Sequence, residues 1–256
     1  IIASFLPVGA ISHIYYADRL NQLPLAIFGI ALGIVLLPNL SKAIKQSDQE
    51  TTHNIQNRSI EFSLLISLPS AIGLFILAEP IIYILFERGA FLQEDTFYTA
   101  RVLGYFALGL PAYIIIKVLV SCFFAREDTK TPLYISLVSV ISNIVLSLLL
   151  IGSMREMGIA LATAISAWIN ALLLYLLLFM RGFLKFDSLL IRNSIKILLS
   201  SALLIFGIFG LKGILFDDFS ANSILINSLS LFLMIFLVLI IYLVLVIVLK
   251  VLTINQ

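Results

Sequence analysis

The stretch YYADRLNQLPLAIFGIALGIVLLPNLSK, residues 15–42, places an aspartate beside an arginine at its start and a lysine at its end, with no charge between Arg19 and Lys42. At ~1.5 Å per residue, residues 20–41 suffice to cross the ~30 Å hydrocarbon core of a bilayer as one helix. Apolar runs of similar length recur at 62–85, 102–125, 132–152, 158–180, 193–216 and 223–249, and residues 1–16 read as the end of another. The runs are too long and too uniformly apolar for barrel strands, which alternate. The expectation is an all-α polytopic transmembrane helix bundle of about eight helices.

Composition agrees. Hydrophobic residues make up 61% and charged residues 12% of the chain, and mean hydropathy is +1.14. Soluble domains average about half apolar and about a quarter charged. The longest polar stretch, SKAIKQSDQETTHNIQNRSIEF (41–62), reads as a loop with at most a short surface helix, so no soluble domain is expected. The net charge of +2 gives no reason to expect nucleic acid as a partner. The chain opens on Ile1 inside an apolar run, without a methionine or a basic leader, and reads as the C-terminal part of a longer protein. A single cysteine, Cys122, excludes a disulfide framework.

Basic residues set the orientation. Taking alternate loops together, Lys42, Lys45, Arg58, Arg126, Lys130, Arg181, Lys185, Arg192, Lys196 and Lys250 fall on one side, against Arg88, Arg101, Arg155 and Lys212 on the other. The first side is therefore expected to be cytoplasmic. Arg19 and Lys117 belong to helices. A soft boundary falls near residue 190, within the basic, amphipathic connector RGFLKFDSLLIRNSIK (181–196). All seven prolines lie at or before Pro132, so bending helices are expected in the first half.

Polar and small residues inside the runs form stripes at helical spacing. Arg19, Gln22, Ala26, Gly29 and Gly33 share one face, as do Gly109, Tyr113, Lys117 and Ser121. Ser136, Ser139, Asn143 and Ser147 make a third stripe, and Thr163, Ser166 and Asn170 a fourth. Close helix contact accounts for uncharged stripes of this kind. A cation at membrane depth costs at least ~2.5–3.5 kcal/mol and commonly marks a substrate or ion route, whereas one near a helix end can snorkel to the interface. Both readings are open for Arg19, and Asp18 has the further reading of a charge favoured by the helix dipole. Lys117 lies about two turns from the end of its run and has less freedom to snorkel.

Several chemistries find no support. There is no GxxxxGK[ST] loop for a nucleotide phosphate. His13 and His53 look isolated, so no metal site and no cofactor are expected. Glu61, Glu79, Glu87, Glu94, Asp95, Glu127, Asp128, Glu156, Asp187, Asp217 and Asp218 lie in or near expected loops and read as solvated faces or caps. No nucleophile, base and orienter set is apparent, which argues against an enzyme. Asn143, Ser147 and Thr163 together present oxygens suited to a small cation, although no carboxylate joins them.

The opening stretch closely resembles the segment spanning helices 7 and 8 of the MurJ/MviN lipid II flippases of the MOP exporter superfamily. LFERGAF (85–91), EDTFYTARVLGYFALGLPAY (94–113) and KVLVSCFFAREDTKTP (117–132) follow in that family's order and spacing. The resemblance covers residues 1 to about 180, and beyond that it is one of hydropathy. It implies a fourteen-helix protein of the bacterial inner membrane, of which this chain is a MATE-like C-terminal lobe plus two additional helices. Residues 1–190 would hold the end of helix 7 and helices 8–12. Residues 191–256 would form helices 13 and 14 and a groove for a lipid tail. The implied cargo is lipid II, an undecaprenyl-pyrophosphate-linked glycopeptide flipped from the cytoplasmic to the periplasmic leaflet by alternating access. The other implied partners are membrane lipids and the N-terminal lobe of the same protein.

By position in the motif, Arg19 resembles the family's cavity arginine, Asp18 its neighbour and Lys117 the cavity lysine. Gln22 and Tyr113, on the same faces, complete the expected substrate-binding set, with Asp18 expected to hold Arg19 in place. Pro24, Gly29, Gly33, Gly109 and Pro111 are expected at hinges or close contacts. Alternatives are a flippase for another polyprenyl-linked oligosaccharide, a MATE-type cation-coupled multidrug exporter, which wants cavity carboxylates, and a membrane scaffold, which wants a soluble domain.

Overall fold

The computed structural model describes residues 6–215 and 224–251, apart from the side chains of residues 28, 30–33, 214, 215 and 224. Asp217 and Asp218 therefore lie outside the described residues, as do the surroundings of Gly33. The described chain is all helical: α1 (Ala10–Lys45), α2 (Gln49–Ile76), α3 (Ala78–Phe86), α4 (Gln93–Phe124), α5 (Lys130–Met154), α6 (Glu156–Met180), α7 (Ser188–Leu215) and α8 (Ile224–Val248). Six of these, α2 and α4 to α8, are long and apolar enough to cross a membrane.

Three expected helix boundaries are corrected. Residues 10–16 are not the end of a separate helix but the first turns of α1, which continues unbroken through Pro24 and Pro38 for 36 residues, about 54 Å. The polar stretch 41–62 is mostly helix. It is divided only where the Asp48 carboxylate caps α2 by accepting the Thr51 N–H at 3.0 Å, which supplies a partner for an otherwise free donor. The run 62–85 breaks at Leu77, because Pro80 can neither donate to Ile76 nor leave room for its carbonyl.

Burial sets the layers. In the membrane-length window of α4, 67% of residues are buried, against 17% in α5, so α4 is the axis of the bundle and α5 borders lipid. Helices α1, α2, α3 and α6 pack on α4. Val102, Leu103, Ala107, Leu110, Ile114 and Val118 of α4 are fully covered. The contact with α6 is close because α6 presents Ala160, Ala164, Ala167 and Ala171, all buried. Small residues let helices approach where lipid supplies no hydrophobic drive between them. Trp168 of α6 donates to the Leu108 carbonyl at 3.0 Å.

Two polar seams mark the ends. At the basic end, Arg181 pairs with Asp128 at 2.7 Å, Arg126 donates to the Phe183 carbonyl at 3.2 Å, and Arg58 grips Asp187 through both carboxylate oxygens at 2.9 and 2.6 Å. Arg58 also pairs with Glu61, which in turn accepts from Asn193 of α7 at 2.5 Å. Glu61 is buried between α2 and α7, not a solvated loop acid. At the far end, α5 reverses into α6 through Arg155 alone, whose φ of +52° is rare for a side-chain-bearing residue. Gly158 permits that reversal, since a Cβ there would meet the Leu150 carbonyl oxygen at 2.8 Å. Helix α8 rests on α7 and α3 and is tied to α2 by Tyr242, which donates to the Leu65 carbonyl at 2.7 Å.

Candidate functional site

A cleft of about 470 Å³ runs along α1, bounded by α4 and α6. From α1 come Asp18, Asn21, Gln22, Leu25, Ala26 and Gly29, at spacings of three and four that keep them on one face. From α4 come Phe106, Tyr113 and Lys117, and from α6 Thr163. Gln22 donates to the Asp18 carboxylate one turn earlier. Asn21 is 3% exposed and its side-chain oxygen has no hydrogen-bond partner among the described residues. Tyr113 likewise keeps a buried, unpartnered hydroxyl. Lys117 is exposed and has no ion pair among the described residues. The cleft thus presents an ammonium without an ion pair, the amides of Asn21 and Gln22 and the Tyr113 phenol, with the one carboxylate, Asp18, engaged by Gln22. That arrangement suits an anionic, hydrogen-bonding group.

The structure brings together most of the expected set, with Asp18, Gln22, Tyr113 and Lys117 on the cleft and Gly29 beside Lys117. A Cβ on Gly29 would stand 3.7 Å from Lys117 Cγ. Gly109 is where α4 and α6 come closest: a Cβ there would meet Ala164 Cα at 3.0 Å and the Tyr113 hydroxyl at 2.6 Å. Pro24 and Pro111 lie within continuous helices.

Arg19 does not line the cleft. It is exposed, and its guanidinium lies over the Tyr15 ring, 4.7 Å from the centroid. Helical side chains lean toward the N-terminus, which carries this one back one turn. Asp18 and Arg19 form no ion pair, because successive residues point ~100° apart around a helix. Asp18 is thus held by Gln22 and makes no direct polar contact with Arg19.

Asn143 and Thr163 meet, but chiefly each other: Asn143 donates to the Thr163 hydroxyl at 3.1 Å, which donates to the Ile159 carbonyl at 2.8 Å. Ser147, buried, has an unpartnered hydroxyl among the described residues. No group of three or more His, Cys, Asp or Glu side chains among the described residues has the geometry to hold a metal.

Sequence reasoning missed Asn21. Its signal is the spacing from Asp18, masked by taking the stripe to start at Arg19. His13, too, is not isolated. Its ring is buried between Asp95, 82 positions away, and the fully buried Glu156, 143 positions away, and no local pattern announces that meeting.

Fold and cleft together define a multi-pass helical membrane protein with a polar cleft within its bundle. The model of the family described as Lipid II flippase MurJ matches residues 1–234, and the chain belongs to that family. It is 46% identical over 196 residues to a probable lipid II flippase MurJ of Rhizobium tropici, covering 77% of this chain and 37% of that protein. With the corresponding Rickettsia prowazekii protein it shares 48% identity over 174 residues, 68% of this chain and 34% of the other. A solved structure of lipid II flippase MurJ in an inward closed conformation superposes with a TM-score of 0.78 at 29% identity, covering 95% of this chain and 48% of that one. The chain thus spans little more than a third of the length of these curated relatives.

Proposed function

We propose that this chain supplies one wall of the chamber through which a lipid II flippase passes its cargo from the cytoplasmic to the periplasmic leaflet of the bacterial inner membrane. The observation that carries the reading is Lys117, a cation within a membrane-length helix that faces a polar cleft and has no ion pair among the described residues. A pyrophosphate brings its own negative charge, and an uncompensated ammonium is its complement. Arg19 waits one turn from Gln22 with its guanidinium resting on Tyr15, and swings from the ring to the phosphate oxygens as cargo arrives. Asn21, Gln22 and Tyr113 offer the hydrogen bonds that the sugar and phosphate oxygens require. Cargo moves without a chemical step, so the protein acts as a transporter, not an enzyme.

A second lobe of the same protein closes the chamber, in keeping with the share of the relatives that this chain spans. The prolines and glycines along α1 and α4 take up the bending as the lobes rock. The core of this lobe ends near residue 190. Helices α7 and α8, whose Phe206, Leu229, Phe232 and Phe236 face outward, guide the polyprenyl tail along a groove.

The test replaces Lys117 by Ala in cells depleted of their own flippase and measures lipid II on the outer leaflet with an externally added lipid II-degrading enzyme. A charge-assisted hydrogen bond contributes about 1.5–3 kcal/mol, so export should fall about tenfold or more at normal membrane abundance. Undiminished export would remove the reading.

A further inference from the structure

Three helices meet on one imidazole at the far end of the bundle. His13, in the first turn of α1, is 6% exposed. Its Nε2 lies 3.0 Å from Asp95 Oδ1 on α4, and its Nδ1 lies 3.2 Å from Glu156 Oε1 at the start of α6. Glu156 is fully buried, and its second oxygen has no hydrogen-bond partner among the described residues. The nearest cation, Arg155 Nε, stands 3.6 Å from that oxygen. Tyr98 of α4 stacks on the imidazole at 5.7 Å, and the Arg155 guanidinium sits 5.2 Å from the Tyr98 ring centroid. The charged and titratable groups around His13 are thus Asp95 and Tyr98 from α4, with Arg155 and Glu156 from the α5–α6 turn.

A neutral imidazole has one N–H, and here both ring nitrogens face carboxylate oxygens. With a neutral ring and two carboxylates, one lone pair would confront an anion at ~3 Å where little water screens it. The contacts are all satisfied only when the cluster holds one more proton. A metal ion does not fit, because the ring lies between the two acids and the three groups do not converge on a common point.

The geometry points to a proton-binding site at His13, Asp95 and Glu156 that clamps the outer end of α1 to α4 and α6 when loaded and frees it when empty. The proton passes to and from water through Asp95, whose side chain is 30% exposed and lies on the side that the charge asymmetry makes non-cytoplasmic. Loading adds one positive charge to the cluster and emptying removes it. Helix α1 also carries Asp18, Asn21 and Gln22, beginning little more than one turn along, so a freed end alters the mouth of the cleft. The inference rests on the transport reading only for that last consequence.

This sequence holds one other histidine, His53, so His53→Gln removes its signal and the further loss on His13→Gln identifies the His13 ring. Nitrogen NMR of ring-labelled protein in bilayers should show both ring nitrogens protonated when the cluster is loaded and one bare nitrogen once raised pH has emptied it. Glu156→Gln removes a facing anion and should move the conversion to lower pH, with about tenfold or more weaker proton binding. Spin labels at Ile11→Cys and Ser153→Cys, both exposed, should separate over the same pH interval, and His13→Gln should abolish that dependence. A neutral ring throughout pH 5–8, or a label distance indifferent to the titration, would overturn the inference. Lys117→Ala should leave the titration unchanged, so loss of export with an intact titration bears on the transport reading separately.

Discussion

At the residue scale the cleft depends on what is left unpaired. The arginines at the basic end are partnered: Arg58 has two acids, Arg181 has Asp128, and Arg126 has two carbonyls and the Phe183 ring. Lys117 has no ion pair among the described residues, and a membrane-spanning helix keeps such a charge within its length only where something else will meet it. Glycine choice is equally local. Gly109→Ala must displace Tyr113 or push α4 from the Ala164 backbone, and should destabilise the protein by about 1–3 kcal/mol, seen as a lower unfolding temperature in detergent. Gly29→Ala meets only ordinary contacts and should leave that temperature within about a degree or two. Equal losses from the two substitutions would contradict the close approach of α4 and α6.

At the element scale, buried polar seams fix how helices are joined. The α2–α7 seam places Glu61 in the interior with Arg58 and Asn193 as its partners. Arg58→Ala leaves that carboxylate without its cation and should cost up to about 3 kcal/mol, at the lower end for buried pairs because Arg58 keeps some exposure. The check is faster proteolysis between α6 and α7 together with a lower unfolding temperature. The α4–α5 turn responds to acid. Asp128 is held down at about 2, first by the Thr131 hydroxyl and backbone N–H and then by the Arg181 guanidinium. A carboxylate depressed on folding stabilises above its ordinary value near 3.9, and that contribution is lost as pH falls toward the folded value. The wild type should therefore lose stability relative to Asp128→Asn between about pH 4 and pH 2. Parallel acid profiles would show that the pairing contributes nothing.

At the scale of the whole molecule, the question is whether the cleft is wet. The one cysteine of this sequence, Cys122, is fully buried, so it gives no background to thiol reagents. A cysteine at Ala26 should react with a water-soluble maleimide, because a thiolate forms only where water reaches. One at Leu108, exposed on the outer face of α4, should stay inert in bilayers. If Leu108→Cys labels as fast as Ala26→Cys, the assignment of interior and lipid faces is wrong. The all-α membrane bundle expected from the apolar runs is the fold found.

The class of fold and the cleft's main cation were legible in the sequence, because both rest on one-dimensional facts. A bilayer forces unbroken apolar runs, and a charge within such a run stands out on its own. Helix ends were legible only in part: Pro80 could have predicted the break at Leu77, whereas the continuity of α1 across residues 16–20 depends on packing against α4. The His13 cluster and the α2–α7 seam were not legible, since their members are separated by 82 to 143 positions and each looks like an ordinary loop acid or a stray histidine alone. The sequence by itself thus determined that the chain spans a membrane as helices and carries a cation within one of them. Only the tertiary structure decided which charges are buried together and where the Arg19 side chain rests, because those depend on distances between helices and not on spacing along one.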